Sequence, residues 1–80
     1  MILFLFESVH AVISADKHCH AAGIHCTIIP VPRSITSQCG ICIEADPDRE
    51  KRIAAILEEQ EISYSLCKDY VKRGSFEKLV

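Results

Sequence analysis

The chain has 80 residues, of which 49% are hydrophobic and 25% are charged, and its formal net charge is -2. This balance excludes an intrinsically disordered chain, and dispersed basic residues give no reason to expect a nucleic-acid partner. No apolar stretch approaches the roughly 18 residues that span a bilayer, and no basic segment precedes the apolar N-terminus. We therefore expect a cytoplasmic protein with no membrane association.

The first part of the chain predicts a strand, a helix and a second strand. Residues 2–6 are apolar at every position, which is typical of a central strand covered on both faces. Apolar residues then recur at helical spacing over residues 10–22, with Ser8 as the N-cap and Gly23 at the end of the helix. β-Branched residues favour a strand over residues 24–31.

The second part of the chain repeats this order. Residues 41–46 predict a short strand, and Asp46 followed by Pro47 predicts the start of a helix that continues to Gln60. Asp48 and Arg52 are spaced to support this helix. Alternating apolar residues predict a final half-buried strand over residues 62–67.

These elements predict an α+β fold, the ferredoxin-like βαββαβ sandwich, in which two helices cover one face of a four-stranded antiparallel sheet. We expect one domain over residues 1–67 and a C-terminal extension over residues 68–80. If Phe4 and Phe6 face the helices, Leu3 and Leu5 point to an uncovered sheet face. We therefore expect a homodimer through that face.

The loop after the second predicted strand contains the candidate for chemistry, Cys39. A right-handed crossover places residues 33–40 near the start of the first helix, where Glu7, Ser8 and His10 lie. The helix N-terminus, Arg33 and His10 are therefore expected to stabilise a Cys39 thiolate. The alternative is that Cys39 is a small packed side chain. The other residues assigned to this loop site are Pro30, Pro32, Ser37 and Gly40.

Two further cysteine patterns were weighed against the Cys39 site. Cys39 and Cys42 have C-x-x-C spacing, but residues three apart in a strand lie about 10 Å apart and on opposite faces. Cys42 is therefore assigned as a secondary thiol in a strand. Possible metal ligands are concentrated in His18-Cys19-His20 and His25-Cys26. On a helix, however, the side chains of His18 and His20 point about 200° apart, which argues against a shared metal ion. We assign no metal ligand and expect exposed histidines beside a buried cysteine.

A longer pattern resembles the selenium/sulfur carrier protein-like family of small bacterial proteins. It consists of Phe6-x-Ser8-x-His10-Ala11, Ala22-Gly23-Ile24 and Ile29-Pro30-Val31-Pro32-Arg33-x-Ile35-x-Ser37-x-Cys39-Gly40. The resemblance implies a compact α/β domain in which Cys39 accepts sulfur or selenium as a persulfide or selenopersulfide. It also implies a donor partner such as a cysteine desulfurase, and we expect no cofactor.

The sequence favours a carrier or accessory protein over a turnover enzyme. It has neither a Ser/His/Asp arrangement nor a glycine-rich phosphate loop. Two alternatives stay open. One is a non-enzymatic dimeric interaction module in which Cys39 only packs, and the other is a metal-binding protein.

Overall fold

The computed structural model describes residues 1–33, 35 and 39–68. Its elements in chain order are β1 (Ile2–Leu5), α1 (Val9–Ala21), β2 (Thr27–Pro30), β3 (Ile41–Ala45), a 3-10 turn (Pro47–Arg49), α2 (Glu50–Glu59) and β4 (Ser65–Cys67). Ser37 and residues 69–80 of the predicted extension lie outside the described residues. Neither described helix is long and apolar enough to cross a membrane.

The four strands form one sheet in the order β2-β3-β1-β4, and all three neighbouring pairs are antiparallel. β1 and β2 both run antiparallel to β3, so they are parallel to each other, as the predicted crossover requires. β1 lies inside the sheet, where Leu3 and Phe4 have no exposed surface. The α+β fold is therefore confirmed, and its strand order is that of a ferredoxin-like domain.

Both helices pack on the sheet face that carries Phe4. The buried core residues on this side are Ile2, Phe4, Phe6, Val12, Ala15, Cys19, Ile24, Cys26, Ile43, Ala45, Ile53 and Leu57. Ile62, Tyr64 and Leu66 also pack against this core, as the predicted alternation requires, although Ile62 and Tyr64 precede β4. The two helical stripes and the inward side chains of the sheet thus form one continuous core.

Both helices end in the same turn. In α1, the Gly23 amide donates to the His20 carbonyl and the Ile24 amide to the Cys19 carbonyl, which is the Schellman hydrogen-bond pattern. Gly23 has a φ of 77°, as expected from its predicted role. α2 repeats the pattern, but the residue with the left-handed conformation is Glu61, with a φ of 57°. The second turn therefore holds a side chain where glycine is preferred.

Three element boundaries differ clearly from the predictions. The final strand, expected over residues 62–67, begins only at Ser65. The strand expected over residues 24–31 begins only at Thr27, because Ile24 still belongs to the turn that ends α1. At the third boundary, Asp46 precedes a 3-10 turn rather than an α-helix, and its side chain caps no amide. It accepts a hydrogen bond from Arg49 at 2.8 Å, while Asp48 is not among the ion-paired residues of the described chain.

The opposite sheet face carries apolar, thiol and acidic side chains. The register places Glu44, Leu3 and Cys67 side by side, with Cys42 opposite Leu5. Leu3 and Cys42 are fully buried and Glu44 is 6% exposed. The Glu44 Oε2 atom is buried without a hydrogen-bond partner. The centre of this face is thus closed within the single chain, and the homodimer stays a prediction.

Candidate thiol site

Cys39 lies where the loop after β2 rejoins the sheet. Its Sγ is 3.3 Å from the Phe6 carbonyl oxygen and 3.0 Å from the Ile41 carbonyl oxygen, and the thiol donates to these acceptors. The side chain is half-buried and packs against the core. The contact with Phe6 agrees with the prediction that the loop returns to the end of β1. Cys39 is therefore a packed residue that keeps partial exposure.

Gly40 fixes the backbone beside this thiol. Its carbonyl accepts a hydrogen bond of 3.0 Å from the Val31 amide, which closes the loop one position beyond the last strand pair, Pro30 and Ile41. Its φ is 79°, a backbone conformation that residues other than glycine rarely adopt. A Cβ built at Gly40 would meet no atom within 4 Å. The backbone at Gly40 is therefore not enclosed by described residues other than its two chain neighbours.

The two side chains expected to stabilise a Cys39 thiolate, Arg33 and His10, are both exposed. Arg33 lies in a turn of the loop. His10 lies in the first turn of α1 and lines a shallow groove on the outer side of the helix with Ile13, Ser14, Lys17 and His18. Glu7 and Arg33 are not among the ion-paired residues of the described part of the chain. The role of Arg33 and His10 toward Cys39 stays a prediction.

The other loop residues are placed more simply. Pro30 ends β2 and is exposed, whereas Pro32 is half-buried at the beginning of the loop. Cys42 lies in β3, as predicted, with no exposed surface. The α1 N-terminus is capped by Ser8, whose Oγ accepts a 3.2 Å hydrogen bond from the Ala11 amide. Ser8 is thus confirmed as the N-cap of α1, at the end of the sheet where Cys39 contacts Phe6.

Burial divides the five cysteines into two groups. Cys19, Cys26 and Cys42 are buried, while Cys39 and Cys67 are half-buried. Desolvation raises the pKa of all three buried thiols, to about 12 for Cys26 and about 11 for Cys42. Nearby thiols raise the pKa further, Cys19 acting on Cys26 and Cys39 acting on Cys42. These three cysteines are therefore protonated at neutral pH and poorly nucleophilic.

A second cluster of polar side chains, which we call the α1 cluster, contains Asp16, His20 and Cys26. The Cys26 thiol donates to the Asp16 Oδ1 at 3.6 Å, and the His20 Nε2 lies 3.5 Å from the same oxygen. One ligand atom from each of the three residues lies within 4.8 Å of the other two. The sequence prediction considered His20 and Cys26 but not Asp16. The i,i+4 spacing of Asp16 and His20 was the available signal.

The sheet, the two helices on one face and the half-buried thiol at the loop closure define a small ferredoxin-like α+β domain with a thiol site. The chain belongs to the family described as "Putative Se/S carrier protein-like", whose model matches residues 1–67. This match confirms the resemblance seen in the sequence. No curated protein and no solved structure gives a significant match.

Proposed function

We propose that the protein is a sulfur or selenium carrier in which Cys39 is the acceptor. The observation that carries the proposal is that Cys39 is a half-buried cysteine in the loop beside Gly40, in a chain of this family. Persulfide transfer requires a sulfur atom that a partner's persulfide can approach. Burial leaves two of the five cysteines with partial access, namely Cys39 and Cys67.

Cys39 is favoured over Cys67 by its position in the backbone. Cys67 belongs to β4 and shares a row of the sheet with Leu3 and Glu44. Cys39 instead lies outside the strands, in the loop that precedes β3. A partner's persulfide can therefore approach Cys39 without disrupting the sheet.

The proposed transfer needs no external oxidant. The Cys39 thiol first loses its proton and rotates away from the two carbonyl oxygens, which offer no donor to a thiolate. The thiolate then attacks the outer sulfur of a donor persulfide, and a new S–S bond forms at Cys39. The S–S bond of the donor breaks, and the donor cysteine leaves as a thiolate that takes up a proton. The sulfur atom keeps its oxidation state.

Positive charge near the loop would favour the product, because a persulfide is an anion at neutral pH. Arg33 is exposed in the loop and His10 is exposed in the first turn of α1. A charge beside the outer sulfur would lower the free energy of the persulfide anion relative to the neutral thiol. We therefore assign Arg33 and His10 as positioning residues for the carried group.

Mass spectrometry of the intact protein tests the proposal directly. The reduced protein is incubated with a bacterial cysteine desulfurase and cysteine. Its mass is expected to rise by ~32 Da, the mass of one sulfur atom. The Cys39→Ser variant should show no increase. Cys67→Ser is the matched control, because it removes the other half-buried thiol, and it should accept sulfur like the unsubstituted protein.

Two results would overturn the proposal. One is the absence of any sulfur adduct on a folded protein whose Cys39 remains open to alkylation. The other is an adduct that survives in Cys39→Ser and disappears in Cys67→Ser. Where sulfur is accepted, the same assay with selenocysteine in place of cysteine tests whether Cys39 also accepts selenium, because a selenium adduct adds a larger mass.

The non-enzymatic interaction module is the second candidate. It was predicted from the sheet face that carries Leu3 and Leu5. We rank it lower because Leu3 and Cys42 have no exposed surface in the single chain, so the centre of the face offers little apolar area to a partner. Light scattering over a range of protein concentrations measures the oligomeric state and separates the two candidates when combined with the sulfur-transfer assay.

A further inference from the structure

The α1 cluster has the composition of a metal site. Asp16 and His20 are one helical turn apart on α1, and Cys26 joins them just before β2 begins. The turn at Gly23 makes this possible, because the hydrogen bond from the Ile24 amide to the Cys19 carbonyl folds the chain back along the helix end. The geometry points to a Zn²⁺ site formed by Asp16, His20 and Cys26.

The distances between the ligand atoms fit tetrahedral zinc. With Zn–S near 2.3 Å and Zn–O or Zn–N near 2.0 Å, the edges of a tetrahedron are about 3.5 Å for S···O and about 3.3 Å for N···O. The observed separations are 3.6 Å from the Cys26 Sγ to the Asp16 Oδ1 and 3.5 Å from the His20 Nε2 to the same oxygen. A zinc ion therefore needs side-chain shifts of only a few tenths of an ångström at these edges.

The charges of the three ligands also suit a divalent cation. Zinc binds Asp as a carboxylate, Cys as a thiolate and His as a neutral imidazole, so the bound site has no net charge. A thiolate together with an imidazole favours Zn²⁺ over Mg²⁺ or Ca²⁺, which take oxygen ligands. The exposed Asp46–Arg49 pair, by contrast, contains no soft ligand. The α1 cluster is therefore selective in its chemistry as well as in its geometry.

The surroundings of the cluster provide both support and access. The Cys19 thiol is fully buried and shares a hydrogen bond with Cys26, so it lies close enough to support that ligand. The His20 side chain is 56% exposed and that of Asp16 is 24% exposed. An ion can thus reach the site from solvent past the imidazole, while the sulfur side stays dry.

The α1 cluster and Cys39 lie at opposite ends of α1. Cys39 contacts Phe6, just before the helix, whereas Asp16 and His20 lie in its last two turns. With a rise of 1.5 Å per residue, the seven residues from Val9 to Asp16 and the eleven from Val9 to His20 correspond to about 10–17 Å. Zinc at the cluster would therefore not occupy the acceptor thiol. It would tie the end of α1 to the segment that leads into β2.

Metal titration of the full chain tests this inference. The reduced protein is stripped of metal with a chelator and titrated with Zn²⁺ against a chromophoric competitor, with Mg²⁺ as a parallel probe. One Zn²⁺ per chain is expected, with little binding of Mg²⁺. Replacing zinc by Co²⁺ should give the visible spectrum of tetrahedral cobalt and a thiolate-to-cobalt charge-transfer band.

The variants separate this cluster from the other possible ligands. His20→Gln and Asp16→Asn should each weaken Zn²⁺ binding by about tenfold or more, since loss even of supporting groups costs this much. His18→Gln is the matched control on the same helix and should bind normally. Cys26→Ser should abolish the charge-transfer band. Because Cys26 is buried, His20→Gln, which alters an exposed side chain, keeps the test valid if Cys26→Ser misfolds.

Three results at the α1 cluster would overturn the inference. They are Zn²⁺ binding no tighter than Mg²⁺ binding, an equal loss of affinity in His18→Gln and His20→Gln, and a Co²⁺ spectrum without the thiolate band. Zinc binding that disappears in Cys39→Ser would place the metal at the loop thiol and would also overturn it. Sulfur transfer to Cys39 is measured separately, so either proposal can fail alone.

Discussion

Alkylation of the native protein by iodoacetamide is expected to divide the five thiols into a fast pair and three slow ones. The fast pair is Cys39 and Cys67, which are half-buried, and the slow thiols are Cys19, Cys26 and Cys42, which are buried. The prediction depends on two separate quantities, the fraction of each thiol that is ionised and the access of the reagent to sulfur.

The ionised fraction can be worked out for Cys42. Its pKa is raised to about 11, so roughly one molecule in a thousand carries the thiolate at pH 8. An ordinary exposed cysteine, with a pKa of about 8.5, is roughly one-quarter ionised at that pH, about 200 times more. The greater nucleophilicity of a more basic thiolate offsets about tenfold of this, which leaves a difference of about 20-fold. Burial of the sulfur slows Cys42 further.

The assay is timed alkylation at pH 8 with a chelator present, followed by digestion and mass spectrometry of each cysteine-containing peptide. Raising the pH to 10 should narrow the gap, because the ordinary thiol is then fully ionised while the Cys42 thiolate still increases tenfold per pH unit. Labelling in denaturant should make all five cysteines equally reactive. The reasoning is refuted if Cys42 or Cys26 of the folded protein reacts at pH 8 as fast as Cys67.

Three further predictions concern stability, each measured by urea unfolding. Glu61→Gly should raise the free energy of unfolding by about 1 kcal/mol, because Glu61 has a φ of 57° at the end of α2; a decrease would mean that the side chain contributes more than the strain costs. Leu57→Ala should lower it by about 2–5 kcal/mol, because Leu57 is fully buried, whereas Ile13→Ala, at a position 55% exposed, should change it by less than about 0.5 kcal/mol. Finally, Cys42 stays protonated in the native state up to about pH 11 but ionises near pH 8.5 in the unfolded chain. The contribution of the native thiol to the free energy of unfolding is therefore fully present below about pH 8.5. It is lost as the pH rises from there toward about 11, by about 1 kcal/mol per pH unit. Cys42→Ala should flatten this decline, and an unchanged slope would contradict the assignment.

The fold was largely predictable because its signals are local. The N-cap at Ser8 and the glycine at Gly23 define the ends of α1 through contacts within a few residues, and the structure contains both. The beginning of β2 was less predictable. The apolar, β-branched pattern starts at Ile24, but the hydrogen bond from its amide to Cys19 holds it in the helix-ending turn. Composition does not reveal such competition between a turn and a strand.

The candidate site was predictable in part. Topology alone brought Cys39 to the end of β1, and the contact with the Phe6 carbonyl agrees with it. The partners of the thiol could not be read from residue types, because both are backbone carbonyls. The α1 cluster was missed for a related reason. Asp16 and His20 are neighbours on any helix, but only the turn after α1 brings Cys26 to them.

Pro30 has a consequence for the open edge of the sheet. β2 is an edge strand, and the Val31 amide donates toward β3, so the neighbouring position, Pro30, faces outward. Proline has no amide hydrogen, so a foreign strand that paired along this edge would lack a donor there. β2 is also short, at four residues. The exposed Ile28 within β2 is thus protected from recruiting another chain into a growing β-aggregate.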